Sequence, residues 1–208
     1  ELSQKRIAYI SGAGSSVPSN LRDLGYEVEE FSPEAITSEL LDNFEVVMMG
    51  IRAYNIHEAL AYKQSVLFDF VEQGGTMIVQ YNTNRGLKTE DIAPFPMQMS
   101  RDRVTQEDAE VRFIDPNHRV LNEPNRIQQE DFEGWIQERG LYFPDQWSEE
   151  LTPILSMNDS GETPKEGSIL VGNYGQGHYI YTGLSFFREL PAGVSGAYKL
   201  LSNLISIE

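Results

Sequence analysis

Apolar and polar positions change rhythm along this chain, and the rhythm divides it. Over residues 6–81 short apolar runs alternate with stretches of helical spacing. RIAYIS predicts a strand that ends in the glycine-rich GAGSS. SVPSNLRDLG predicts a helix, with Pro18 near its start and Gly25 as its stop. YEVEEFS alternates as a second strand, and PEAITSELLDNF forms a short helix or turn. EVVMMGI, residues 45–51, is a continuous apolar run of the kind buried on both faces of a parallel sheet. HEALAYKQSVLFDFVEQGG predicts the clearest helix: Leu60, Val66, Leu67, Phe70 and Val71 fall near helical spacing, and Gly74-Gly75 ends it. TMIVQY follows as a fourth strand. Successive β-α-β units of this length imply right-handed crossovers and a parallel, doubly wound sheet.

The rhythm breaks after Asn84. Residues 85–159 are rich in Pro, Asn, Asp and Gln, with short strand signals at AEVRFI and LTPILSM and an aromatic stretch, DFEGWIQERGLYFPDQW. Linkers seldom carry so many aromatics, so this region is expected to be an elaborated insertion over the C-terminal edge of the sheet. Regularity returns at the end. GSILVGNYGQGHYIYTGLSF predicts a β-hairpin turning at Gly175-Gln176-Gly177, and GVSGAYKLLSNLISI a closing amphipathic helix. The expected fold is a single α/β domain over residues 1–208. It is a flavodoxin-like three-layer sandwich with a mainly parallel sheet, the insertion, and a C-terminal hairpin plus helix.

Composition narrows the chemistry. The 208 residues suffice for one sizeable core. Lys plus Arg number 16 and Asp plus Glu 32, a net charge of −16, and a field of that sign repels phosphate backbones, so nucleic acid is not an expected partner. No apolar run approaches the roughly 20 residues of a membrane span. The absence of cysteine excludes disulfides, zinc–thiolate sites and thiolate nucleophiles, and leaves the compartment open. No signal peptide is visible, and the opening ELSQKRIAYISGAG reads equally as a mature start or as a piece of something longer.

Candidate chemistry gathers at strand tips, where open sheets bind ligands. GIRAYN follows the third strand, where Arg52 offers a planar fork and Tyr54 and Asn55 a ring and an amide. QYNTN follows the fourth, with Tyr81, Asn82 and Asn84. If the strands are neighbours, these residues form one polar floor. Trp135, Glu138 and Arg139 of the insertion supply an aromatic platform and a carboxylate that suit a sugar face and its hydroxyls. Structural roles compete at every position: asparagines cap turns, arginines pair with acids, and rings anchor loops. SGAGSS, residues 11–16, could cradle a phosphate but lacks both the dinucleotide spacing and the P-loop lysine. His57, His118 and His178 are dispersed, so no metal is expected, and no GxSxG elbow occurs.

These motifs, in this order, make the whole chain resemble the class I glutamine amidotransferase-like superfamily. FVEQGGTMIVQYNTN and DPNHRVLNEP…ERGLYF are similar to its trehalose-utilisation-type branch. GIRAYN, QYNTN, DFEGWIQERGLYFP and YTGLSFFRELPAGVSGAYKLLSNL look like the C-terminal region of long bacterial PIG-L/LmbE-type deacetylases. The resemblance implies a Cys nucleophile where this chain has QYNTN, and a partner His near YTGLSFF, where it has Ser185, Phe186 and Phe187. Two of three triad members are missing, so acyl transfer through a thiolate cannot proceed. The expectation is a non-catalytic accessory domain, without cofactor, that binds carbohydrate or docks on a covalently linked deacetylase domain. The resemblance alone implies a periplasmic or secreted setting. Two readings stay open beside it: a stand-alone sugar-processing enzyme using Glu138 or an imidazole, and a flavodoxin-like cofactor binder using SGAGSS.

Overall fold

The computed structural model describes residues 1–208. The first half runs β1 (Arg6–Ile10), α1 (Val17–Leu24), β2 (Glu27–Phe31), α2 (Ser38–Leu41), β3 (Val46–Met49), α3 (Ala53–Ile56), α4 (Gln64–Glu72) and β4 (Thr76–Gln80). The second half adds β5 (Met97–Val104), β6 (Val111–Phe113), β7 (Gly140–Trp147), β8 (Leu151–Pro153), β9 (Leu155–Met157), β10 (Ile169–Tyr174), β11 (Gly177–Thr182), α5 (Phe186–Glu189) and α6 (Ser195–Ile205). Seven strands form the central sheet in the order β2-β1-β3-β4-β11-β10-β8. The first five in that order are parallel, and β10 runs antiparallel to both its neighbours. Layers of helix on both faces complete a flavodoxin-like sandwich.

The period of two within each strand sorts the core into two halves. Ile7, Tyr9, Val46, Met48, Ile78 and Ile180 face one way and pack with α1 and α6. Ala8, Ile10, Val47, Met49, Met77, Val79, Tyr179 and Tyr181 face the other and pack with Leu41, Leu67 and Val71 of α2 and α4. The continuous apolar run of β3 is thus explained: both of its faces are covered, and all four residues are inaccessible.

The expected long helix after His57 divides. Glu58–Tyr62 is a 3-10 turn, and α4 begins only at Gln64. Gln64 turns inward, where it bonds the Tyr54 hydroxyl and the Asp91 carbonyl. Leu60, Leu67 and Val71 are buried, whereas Val66 and Phe70 are half-buried. The hairpin turns where the glycines stand: Tyr174 pairs with Gly177, and Gly175 takes a left-handed φ of 57°.

Residues 85–159 build two small ribbons, β5 with β7 and β6 with β9, and return β8 to the edge of the central sheet. Their apolar residues, among them Val104, Val111, Phe132, Trp135 and Phe143, belong to the same core half as α6. Much of this region is therefore a covering layer of the sandwich. α6 rides so close to it that a Cβ on Gly196 would lie 1.7 Å from the Asp131 carbonyl oxygen.

Candidate functional site at the strand tips

Register brings three strand tips together. Met49 of β3 pairs with Val79 of β4, and Thr182 of β11 pairs with Gln80. Arg52 and Asn82 consequently share the carboxyl edge of the sheet, with the segment 183–188 beside them. The two tips are stitched directly, since the Arg52 amide donates to the Tyr81 carbonyl at 2.8 Å.

Several expected ligand contacts are spent on this stitching. Asn82 is inaccessible; its Oδ1 accepts the Tyr54 amide at 3.0 Å and its Nδ2 donates to the Gln80 carbonyl at 3.1 Å. It caps α3 from a distant strand, because Tyr54 lies in the first turn, where helix amides lack partners. Asn55 donates to the carbonyls of Thr83 and Arg85 and accepts the Thr83 amide. Tyr54 is fully buried, and burial pushes its phenol well above the usual range despite the bond to Gln64. Gln80 reaches the Tyr9 hydroxyl and the Met49 carbonyl. The floor is polar because it is hydrogen-bonded.

Two of the three insertion residues are likewise structural. Trp135 is 3% exposed, stacks on Phe132 and donates its indole N–H to the Asp131 carbonyl at 2.9 Å. The Arg139 guanidinium is buried, bonds the carbonyls of Ala109 and Phe132, and lies over the Phe132 and Trp135 rings. Neither side chain projects from the edge as a ligand contact; each holds the covering layer together. Glu138 differs: it is half-buried and pairs with Arg188 at 2.7 Å.

A different group is centred on Tyr81, itself 9% exposed. Its ring stacks on Tyr142, with centroids 6.1 Å apart and planes at 14°, and meets Phe187 at 5.3 Å. Arg188 lies over Phe187, 4.8 Å from the ring centre. Burial raises the Tyr81 phenol pKa, while the charges of Arg52 and Arg188 oppose the rise. Both guanidiniums therefore act on this ring. Nε of Arg52 is buried without a hydrogen-bond partner. Arg52 and Tyr142 are also two of only three non-glycine residues with positive φ, at 57° and 55°. Strained backbone of this kind costs about 1–3 kcal/mol and clusters at functional sites. Asn84 is half-buried. Tyr142 and Phe187 lie within the sequence motifs, but their meeting at Tyr81 depends on β11 lying next to β4.

The GAGSS turn is pinned to the same edge. The Ser11 and Ala13 amides donate to the Phe31 and Ile51 carbonyls, and the His57 ring meets the Ser11 carbonyl at 2.7 Å. Gly12 is required by closeness, because a Cβ there would lie 2.1 Å from the Ile51 oxygen. Two of the amides a phosphate would need are thus already bonded. His118 and His178 meet in a groove of about 280 Å³ with Glu150 and Glu208, and burial lowers the pKa of both imidazoles. No group of three or more histidines and carboxylates is placed to hold a metal ion, and no helix is long and apolar enough to cross a membrane.

No family model matches the chain, and no curated protein matches it by sequence. Its fold is shared by solved structures. A cytoplasmic protein from Salmonella typhimurium is 12% identical, with a TM-score of 0.63 over 96% of this chain and 97% of that one. A β-galactosidase from the haloarchaeon Halorubrum lacusprofundi is 14% identical with a TM-score of 0.58, and the match spans 97% of this chain but 30% of the enzyme. A glutamine amidotransferase from Thermotoga maritima is 10% identical with a TM-score of 0.57, over 99% of this chain and 100% of that one. At these identities the likeness is one of architecture, and the chain has a glutamine amidotransferase-like fold.

Proposed function

We propose that this chain is a non-catalytic, amidotransferase-like accessory domain of a sugar-directed, PIG-L-type deacetylase, and that its strand tips bind a polyhydroxylated ligand. The observation that carries the binding reading is Arg52: its charge opposes the rise in the Tyr81 phenol pKa, and its buried Nε has no partner. A buried donor without an acceptor costs about 1–3 kcal/mol, which a turn of the guanidinium towards a ligand oxygen would relieve. The Tyr81, Tyr142 and Phe187 rings offer stacking faces, and the Glu138–Arg188 pair offers both donors and acceptors at the rim. The accessory role is supported by the sequence motifs shared with the C-terminal region of those deacetylases, and by the absence of a thiol anywhere in the chain. A domain of this fold also forms part of a longer carbohydrate-active enzyme, the β-galactosidase.

Calorimetric titration with glucosamine and N-acetylglucosamine tests the binding reading. Arg52→Ala is expected to weaken binding by about 1.5–3 kcal/mol, the worth of a charged hydrogen bond, with the fold intact. Undiminished affinity in that variant overturns the site. Incubation with glutamine is expected to release no ammonia above a protein-free control, and measurable glutaminase activity would refute the non-catalytic reading.

A further inference from the structure

A second surface is built differently. A groove of about 810 Å³ runs between α4, the segment 90–96, the paired ends of β5 and β7, and the end of β10. Small-molecule clefts occupy roughly 300–1,000 Å³, so its size is that of a ligand site. Phe68, Phe95, Trp147 and Tyr174 supply its rings, and all four are half-buried. Tyr174 stands edge-on to both neighbours, 5.7 Å from Phe95 and 6.5 Å from Phe68. Trp147 lies across from Met97 in the β5–β7 ladder, and Gln98 across from Gln146.

Polar groups are interleaved with these rings, and several have no partner within the chain. The Tyr174 hydroxyl, the Gln146 amide and the Glu90 and Asp91 carboxylates make no side-chain hydrogen bond or ion pair. No Lys, Arg or His lines the groove, so with two carboxylates it repels anions. That excludes nucleotides, sugar phosphates and uronic acids. The net charge of −16 also disfavours a second copy of this chain as occupant. Rings that stack on C–H faces, beside acceptors that take hydroxyl or ammonium protons, suit one ligand class.

We propose that this groove is a carbohydrate-binding site for a neutral or amino-sugar oligosaccharide, separate from the strand tips. Phe95, Trp147 and Tyr174 would hold sugar faces, and Glu90, Asp91 and Gln146 would take the hydroxyls or ammonium groups.

The full chain carries its own reporter. Trp147 is half-buried in the groove, whereas the other tryptophan, Trp135, is 3% exposed in the core. The chain is titrated with cellotetraose, with the tetramer of glucosamine and with tetragalacturonic acid, read by tryptophan emission and calorimetry. One or both of the first two are expected to bind and shift the emission, and the acidic tetramer is not. Trp147→Ala and Tyr174→Ala should each weaken binding about tenfold or more, and Trp147→Phe should retain most of it. Should either alanine variant fail to fold, Gln146→Ala, on an exposed position, is expected to weaken binding severalfold. The proposal is overturned if neither neutral nor amino sugar binds, if the acidic tetramer binds best, or if a lysine-rich peptide binds more tightly than either sugar. It is also overturned if Arg52→Ala weakens binding and Trp147→Ala does not, which would place the sugar at the strand tips.

Discussion

Replacing Asn82 by alanine separates structure from ligand binding at the strand tips. The side chain is inaccessible and makes two bonds, one to the Tyr54 amide at 3.0 Å and one to the Gln80 carbonyl at 3.1 Å. Alanine leaves the Tyr54 N–H buried with no acceptor, a cost of about 1–3 kcal/mol, and forfeits a second hydrogen bond worth about 1 kcal/mol. The expected loss is about 2–4 kcal/mol against a total stability of roughly 5–15 kcal/mol. For a chain of this length each kcal/mol moves the melting temperature by about 2–4 °C, so Tm should fall by about 4–16 °C. Thermal and urea denaturation followed by circular dichroism measure the loss, and hydrogen exchange at the Tyr54 amide locates it. Asn84→Ala is the matched comparison: that side chain makes no hydrogen bond and is half-exposed, so its change should stay within about 0.5 kcal/mol. If Asn82→Ala melted within 2 °C or so of the parent and kept its Tyr54 amide protected, the capping argument would be wrong.

Three further outcomes follow from tightly packed groups. Arg139→Ala should cost about 3 kcal/mol or more, since charged bonds to the Ala109 and Phe132 carbonyls are worth about 1.5–3 kcal/mol each; Arg139→Lys should not restore stability, because an ammonium cannot reproduce the fork. Limited proteolysis would show cleavage concentrated in residues 105–139. Gly12→Ala should destabilise by about 1–3 kcal/mol or block folding, because its Cβ meets the backbone oxygen of Ile51 rather than a movable side chain; an unchanged denaturation midpoint counts against that close approach. Burial raises the Glu189 carboxyl pKa above its ordinary value of 4.5, outweighing the Ile136 amide, the Ser185 hydroxyl and the Arg139 charge. Below 4.5 the folded and unfolded chains both hold this proton. As pH rises towards the higher folded value, only the folded chain keeps it, so this group's contribution to stability falls. Glu189→Gln should remove that slope while still accepting the Ile136 amide, and parallel Tm-against-pH curves for variant and parent would contradict it.

The elements of this chain were legible because the signals that set them are local. Strand periods, the both-face apolar run of β3, Pro18 and Gly25 around α1 and the glycine hairpin each report on neighbouring residues. The parallel direction of the first four strands followed from their short β-α-β crossovers, whereas the strand order, with β11 beside β4, came only from the fold. Even so, the division before α4 was not legible, because Gln64 turns towards Tyr54 and Asp91, ten and 27 residues away. The same limit governed the site. Sequence shows that Asn82 and Arg139 can form hydrogen bonds; only the fold shows that their partners, 28 and 30 residues distant, already occupy them. A side chain's capacity to bind belongs to its type, but its availability depends on which distant backbone groups would otherwise be buried unpaired. For that reason Trp135 and Arg139 became core, while Arg52 stayed half-buried and Tyr81, itself 9% exposed, gained Tyr142 and Phe187 as ring neighbours. The aromatic groove was hidden for the same reason: its rings come from four separate stretches of the chain, and none of those stretches carries a ligand signature alone.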